Sequence, residues 1–190
     1  MKRIIGWLVA VAAMLLVATV IFAVSGVYDI GADHPHSAPV RWFASLVRDR
    51  SIESRAESID VPPLADPQRI AEGAEHYSEM CAGCHLAPDR HSSEIREGLY
   101  PPAPDLTAAT PDPAEAFWTI KHGIKDTAMP AWGRTHDDGI IWSIVAFLEA
   151  QPGMPADEYL RLTARTASED HGDDLPMHDE SNGKRSKEDS

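Results

Sequence analysis

The hydrophobic pattern opens with one long apolar segment. Residues 4–28 carry no charged side chain and directly follow Lys2 and Arg3. As a helix, such a run can cross a hydrocarbon core of about 30 Å, whereas the apolar part of a cleavable signal peptide has about 7–15 residues. We therefore predict that residues 1–28 are a transmembrane anchor or an uncleaved signal. Cleavage after Ala23-Val24-Ser25 is the alternative.

The two basic residues predict the direction in which the chain crosses the membrane. Lys and Arg concentrate on the cytoplasmic side of a spanning helix. Lys2 and Arg3 would then stay in the cytoplasm, and everything after residue 28 would lie on the outer side. In a bacterium this predicts a single-pass protein of the inner membrane, in contact with lipid through residues 4–28 and with its folded domain in the periplasm.

The pattern after the anchor divides the chain into four further segments. In the first of them, Trp42, Leu46 and Val47 fall on one helical stripe. The last is rich in acidic residues and poor in large apolar ones, so it cannot bury enough surface to fold. The predicted segments are a polar, partly helical linker (29–65), a compact domain (66–152), a short helix (153–167) and an acidic disordered tail (168–190).

The compact domain shows helical patterns and no convincing strand alternation, so we expect an all-α fold. The helix signals are Asp caps followed by Pro at the first helical position, a terminal Gly, and apolar residues at helical spacing. The predicted helices run from Asp66-Pro67 to about Met80, from Asp112-Pro113 to Gly123, and over a third segment with Ile141, Val145 and Leu148 on one face.

The net charge bears on the choice of partner. The chain carries a formal charge of −13 at pH 7. Such a charge disfavours binding to the phosphates of nucleic acid, so we predict no nucleic-acid partner. An acidic balance would instead favour a protein partner with a basic patch.

The candidate chemistry lies in a short motif that holds the chain's only two cysteines. Residues 81–85 read Cys-Ala-Gly-Cys-His. A redox dithiol would need a βαβ setting, and a structural zinc site normally uses four Cys or His ligands. A plain disulfide is a further alternative, but it leaves His85 without a role. The spacing C-x-x-C-H is that of covalent attachment of c-type haem, and we favour that interpretation.

Further residues resemble those of class I c-type cytochromes, specifically small membrane-anchored bacterial monohaem cytochromes. Gly73 and Tyr77 stand eight and four residues before the first cysteine, as in that family. Phe147-Leu148 matches an aromatic-aliphatic pair on its C-terminal helix, and Met129-Pro130 matches its methionine turn. The resemblance covers residues 66–152. It implies the class I cytochrome c fold, with three to five helices around one covalent haem, behind an N-terminal transmembrane helix.

The resemblance also implies a set of site residues. Cys81 and Cys84 would form the thioether bonds to one haem c, and His85 and Met129 would be the axial ligands of its iron. His122 is the chief rival of Met129. We expect Pro88 to offer its carbonyl to Nδ1 of His85. The predicted haem-pocket residues are Pro88, Tyr100, Pro102 and Trp132.

Ligation by His and Met fills both axial positions, so the natural task of such a haem is to move single electrons. We therefore predict an electron carrier or electron-transfer subunit rather than an enzyme. Its candidate partners are a quinol-oxidising complex, a terminal oxidase and a periplasmic dehydrogenase. The alternative is a haem-based sensor or small-ligand enzyme with a labile sixth ligand.

A second metal site is a further hypothesis. Asp33, His34 and His36 stand together just after the anchor, and His171, Met177 and His178 lie in the tail. Imidazole and thioether ligands suit copper. The chain could then be a copper-handling protein with an auxiliary haem, although we favour an interfacial turn and a solvated tail.

Overall fold

The computed structural model describes residues 1–169, and within them the secondary structure is helical apart from one isolated bridge between Ala87 and Arg90. The all-α prediction is confirmed for this part of the chain. The helices are α1 (Lys2–Val24), α2 (Ala38–Ala56), α3 (Pro67–Met80), α4 (Ala82–His85), α5 (Glu94–Glu97), α6 (Pro113–His122), α7 (Asp138–Ala150) and α8 (Ala156–Glu169), with a 3-10 turn at Trp132–Arg134.

Aspartate side chains begin the three main helices of the domain. Asp66 accepts a hydrogen bond from the Gln68 N–H at 2.9 Å. Asp112 accepts two at the start of α6, and Asp137 accepts one at the start of α7. Each bond satisfies a backbone donor that has no partner within its helix. The caps predicted at Asp66 and Asp112 are confirmed.

The core lies where α3 crosses α7. Tyr77 of α3 and Phe147 of α7 are fully buried, with their ring centroids 5.1 Å apart. Tyr159 of α8 packs on the other side of Phe147, at 5.9 Å. The two helices approach so closely at Gly73 that an added Cβ would lie 1.8 Å from the Ser143 carbonyl oxygen. Only glycine allows this crossing, because any side chain would separate the helices.

Helix α1 stands apart from the core. None of its residues is buried, and by length and composition it is the one described helix that could cross a membrane. The chain then turns back sharply before α2. The Tyr28 hydroxyl lies 2.7 Å from Nδ1 of His36, so this hydrogen bond closes the turn next to the start of α2.

Helix α2 is more than a linker. It packs against α6, and Ala56 at its end is buried. The Arg55 guanidinium lies 5.8 Å from the centroid of the Trp118 ring on α6. The stripe of Trp42, Leu46 and Val47 does not form the packing face, because all three side chains are exposed. The segment predicted as a linker is therefore in part a structural element of the domain.

The predicted tail at 168–190 lies outside the described residues, except for its first two residues, which end α8. His171, Met177 and His178 also lie outside them.

Replacing Gly73 by Ala tests the α3–α7 crossing. We expect Gly73→Ala to lower the free energy of unfolding by about 1–3 kcal/mol or more, because the new Cβ overpacks a backbone contact. Gly98→Ala is the matched control, since a Cβ there meets only ordinary contacts at 3.6 and 3.7 Å. Denaturant unfolding of both variants measures the difference. Equal stabilities would contradict the crossing.

Candidate functional site

The Cys-Ala-Gly-Cys-His motif forms a tight turn directly after α3. Cys81 caps the end of α3, and α4 continues for a single turn to His85. The N–H groups of Cys84 and His85 both donate to the Cys81 carbonyl, at 3.0 and 2.8 Å. This geometry holds two thiols and one imidazole on a single turn of chain. No disulfide joins Cys81 and Cys84, and burial raises the pKa of the Cys81 thiol to about 12.

These three side chains open into one cavity with a volume of about 380 Å³. Its walls are mainly apolar and come from α3, α6, α7 and the two loops before and after α6. A mainly apolar cavity with a few convergent polar groups is the usual form of a cofactor site. Of the site residues predicted from the sequence, the structure brings to this cavity Cys81, Cys84, His85, Pro102, Met129 and Trp132.

The His85 ring is oriented by a backbone carbonyl. Its Nδ1 lies 3.0 Å from the Pro104 oxygen. A carbonyl only accepts, so Nδ1 carries the proton and Nε2 keeps a free lone pair. Burial lowers the pKa of His85, the hydrogen bond to Pro104 opposes that shift, and the charge of Arg96 adds to it. The imidazole is therefore neutral near pH 7 and its Nε2 is suited to bind a metal.

The prediction that Pro88 holds the His85 ring is wrong. The chain turns at Leu86, which has a left-handed φ of 66°. Residues 87–90 then form a tight turn in which Ala87 and Arg90 bond to each other, and Pro88 is not among the cavity residues. The Leu106 N–H instead donates to the His85 carbonyl at 3.2 Å, which brings the Pro104 segment to the ring.

Tyr77 ties α3 to this turn. Its hydroxyl donates to the Leu86 carbonyl at 2.7 Å and lies 3.4 Å from that of His85. Burial is the main cause that raises the pKa of Tyr77, so the hydroxyl stays protonated and remains a donor. A rigid, fully buried side chain thus fixes the carbonyls on either side of the point where the chain reverses.

Met129 lies on a loop that is held by hydrogen bonds between its own residues. The Ile124 N–H donates to the Met129 carbonyl at 3.1 Å, and the Met129 N–H donates to the Thr127 hydroxyl at 3.1 Å. Gly123, with φ of 66°, lies under this loop, and a Cβ there would meet the Met129 and Pro130 backbone within 2.8 Å. His122 is not among the residues that line the cavity; its ring packs 4.9 Å from Trp118.

Tyr100 does not line the cavity, contrary to the prediction. Its neighbours Leu99, Pro101 and Pro102 do so. The Tyr100 hydroxyl instead accepts a hydrogen bond from the His36 backbone N–H at 3.0 Å, and the two rings lie 5.3 Å apart. The Tyr100 side chain therefore connects the loop beside the cavity to the segment between α1 and α2.

Two residues of α2 also line the cavity, and neither was predicted from the sequence. Arg48 and Ile52 come from the segment predicted as a linker, and among the described residues that line the cavity Arg48 alone is cationic. They stand four residues apart on the packing face that ends at Ala56. That spacing was visible in the sequence, but nothing in the sequence connected it to a motif some thirty residues away.

The predicted copper site is not supported. His34 Nδ1 lies 3.1 Å from Asp33 and 3.7 Å from Asp29. His36 uses its Nδ1 for the Tyr28 hydroxyl instead. Across residues 1–169, no group of three or more His, Cys, Asp or Glu side chains is arranged to hold a metal ion.

Comparison with known proteins gives one family. Residues 68–148 match the family described as "Cytochrome C oxidase, cbb3-type, subunit III". No curated protein matches the chain. A solved chain of the reducing HAO-like protein complex of Kuenenia stuttgartiensis is similar at 19% identity and a TM-score of 0.41. That alignment covers 50% of this chain and 50% of the other, so the chain spans half the length of that relative.

Replacing Tyr77 by Phe tests the bond that holds the turn after His85. We expect Tyr77→Phe to lower the free energy of unfolding by about 1–3 kcal/mol, since it leaves the buried Leu86 carbonyl unpaired. Tyr28→Phe, which removes an exposed hydroxyl, should cost less than about 1 kcal/mol. Thermal or denaturant unfolding measures both. An equal or smaller loss for Tyr77→Phe would argue against the positioning role.

Proposed function

We propose that the chain is a membrane-anchored monohaem cytochrome, because residues 68–148 match a c-type cytochrome family and carry the motifs of a class I c-type cytochrome domain. It transfers single electrons between redox partners at the outer face of a bacterial inner membrane. The observation that carries this proposal is one cavity lined by Cys81, Cys84, His85 and Met129 together.

The residues present fit a covalent haem. Cys81 and Cys84 would hold it by thioether bonds, and His85 Nε2 and the Met129 sulfur would be its axial ligands. The cavity walls are apolar, and the volume of about 380 Å³ is within the range of cofactor sites. Bound there, the haem would supply a one-electron couple whose potential the methionine ligand raises.

The chain's own residues orient the two ligands. Pro104 fixes the tautomer and the plane of the His85 ring, and Tyr77 fixes the backbone around it. The closed loop after Gly123 fixes Met129. With His85 and Met129 each held by its own segment of chain, both would bind the iron and would leave no open position for oxygen or peroxide. This favours an electron carrier over a sensor or an enzyme.

Helix α1 supports a location at a membrane. Helix α1 is apolar and wholly exposed, and Lys2 and Arg3 precede it. Such a helix is stable in a bilayer with its basic end in the cytoplasm, which puts the cytochrome domain in the periplasm. Candidate partners are a quinol-oxidising complex, a terminal oxidase and a periplasmic dehydrogenase. The description of the matched family as an oxidase subunit favours the terminal oxidase.

The Met129 ligand has a direct spectroscopic test. We expect the oxidised, haem-loaded protein to show the weak far-red band of a methionine sulfur bound to iron, and Met129→Ala to abolish it. The reduction potential of the variant should also fall, since the soft thioether favours Fe(II). Absorption spectra and a redox titration of the two proteins measure both effects.

Met154→Ala is the matched control, because Met154 packs against the core but is not among the cavity residues. It should retain the far-red band. A parent protein that lacks the band and binds carbon monoxide readily when reduced would contradict the carrier and favour the sensor or small-ligand enzyme.

Arg48 supplies a further prediction about the haem site. As the one cation among the described lining residues, it would pair with a haem propionate and stabilise the electron-rich reduced state. We expect Arg48→Ala to lower the reduction potential by about 30–59 mV, a threefold to tenfold change in a one-electron equilibrium. The Arg48 side chain is 38% exposed, and its Nε pairs with the Asp49 carboxylate at 2.8 Å. The effect on the potential should therefore shrink at high salt.

Arg50→Ala is the control for the charge change. Like Arg48, Arg50 pairs with an acidic neighbour on α2, Glu53 at 2.7 Å, but it is more exposed and is not among the cavity residues. Its loss should leave the potential nearly unchanged. Equal shifts in the two variants would mean that only the overall charge matters and that Arg48 has no special place at the haem.

A further inference from the structure

Helix α2 has two faces of different character. Ser45, Arg48, Ile52 and Ala56 turn toward the domain and are buried or half-buried. The opposite face of the first three turns carries large apolar side chains that no described residue covers. This outer stripe consists of Val40, Trp42, Phe43, Leu46 and Val47, which are 40–67% exposed.

The outer stripe is more apolar than the outward face of a helix that is exposed to water. The outward face of a surface helix is normally polar. Residues 38–47 also contain Arg41 as their one charged residue, in a chain with a net charge of −13. Large apolar side chains including Trp and Phe, together with Arg and no acid, characterise helices that lie in the lipid headgroup region. The second half of α2 differs, because Asp49 and Glu53 make its outer surface polar.

The position of the outer stripe points to the same partner. Phe22 in the last turns of α1 packs against Tyr28, with ring centroids 6.1 Å apart. Tyr28 in turn bonds His36 at 2.7 Å, directly before Ser37, the N-cap of α2. This ring contact and this hydrogen bond together bring the start of α2 to the end of α1. The start of α2 would therefore lie at the level where α1 leaves the bilayer.

We propose that the outer stripe lies in the interfacial region of the phospholipid bilayer. This inference rests on α1 being a membrane anchor, as proposed above. The domain is then not joined to the anchor by a flexible linker alone. It contacts the membrane surface in one orientation. The opposite face of α2 carries Arg48 and Ile52, which line the cavity, so the haem site lies about one helix diameter, ~10 Å, from the lipid.

Site-directed spin labelling of the full-length, haem-loaded protein tests the proposal. The protein is placed in nanodiscs made of neutral and anionic phospholipid. In the haem-loaded protein the native cysteines would be held in thioether bonds, so single cysteines can be added at exposed positions and labelled with a nitroxide. Phe43→Cys and Val47→Cys report on the outer stripe. Ser54→Cys is the matched control, because it is exposed on the same face of α2 two turns later. Leu16→Cys reports on α1.

The readout compares collisions of each label with oxygen, which partitions into lipid, and with a polar nickel chelate, which does not. We expect the ratio of oxygen to nickel collision rates to be at least threefold higher at positions 43 and 47 than at position 54. Leu16 should give the highest ratio of all.

Two results would overturn the proposal while leaving the anchor intact. If Leu16 is in lipid but positions 43 and 47 match position 54, the outer stripe faces water. If positions 43 and 47 are shielded from both reagents and their labels broaden one another, a second copy of the chain covers the stripe. If Leu16 is itself open to the nickel chelate, the membrane anchor fails, and this inference fails with it.

Discussion

The backbone contact between α3 and α7 at Gly73 is the constraint on which the site depends. It brings the two helices close enough for Tyr77, one turn later, to lie against Phe147 with no exposed surface. From that position the Tyr77 hydroxyl reaches the Leu86 carbonyl. Because α3 ends at Cys81, the place of the crossing also sets the place of the turn that carries the cysteines and His85. The close packing at Gly73, eight residues before Cys81, thus fixes the position of the two cysteines and His85.

The Met129 side of the cavity is held in a similar manner but by different means. Gly123 ends α6 with a left-handed φ and lies directly beneath the Met129–Ala131 backbone. A loop held by two internal hydrogen bonds and by contact with a helix end has little freedom to move its side chain. Both glycines therefore act through close backbone approach, and each fixes one wall of the cavity. Such preorganisation suits electron transfer, since a ligand that does not move lowers the structural change between the two oxidation states.

Local features of the sequence predicted local features of the structure well. The caps at Asp66 and Asp112 and the helical domain follow from short-range rules, and the structure has them. The class I cytochrome fold is confirmed as well. The errors are contacts between distant segments. Pro88 was chosen for His85 because it is near in sequence, but the left-handed Leu86 turns it away, and Pro104 arrives through the bond from Leu106 to His85. Tyr100 was assigned to the cavity, but His36 holds it elsewhere. Neither periodicity nor a short motif predicts which segments that are distant in sequence will contact each other.

The largest difference between the sequence-based prediction and the structure concerns α2, which was predicted as part of a linker. This difference changes how the protein would work. A carrier on a long free linker reaches many partners but meets each in random orientations. Here Arg48 and Ile52 commit one face of α2 to the cavity, and the Tyr28–His36 bond holds its start beside α1. The domain can swing only if these contacts break together. In the role proposed here, an electron carrier fixed in this way would have a shorter reach but a constant distance between its haem edge and the bilayer. That arrangement suits partners embedded in the same membrane better than soluble partners that diffuse in the periplasm.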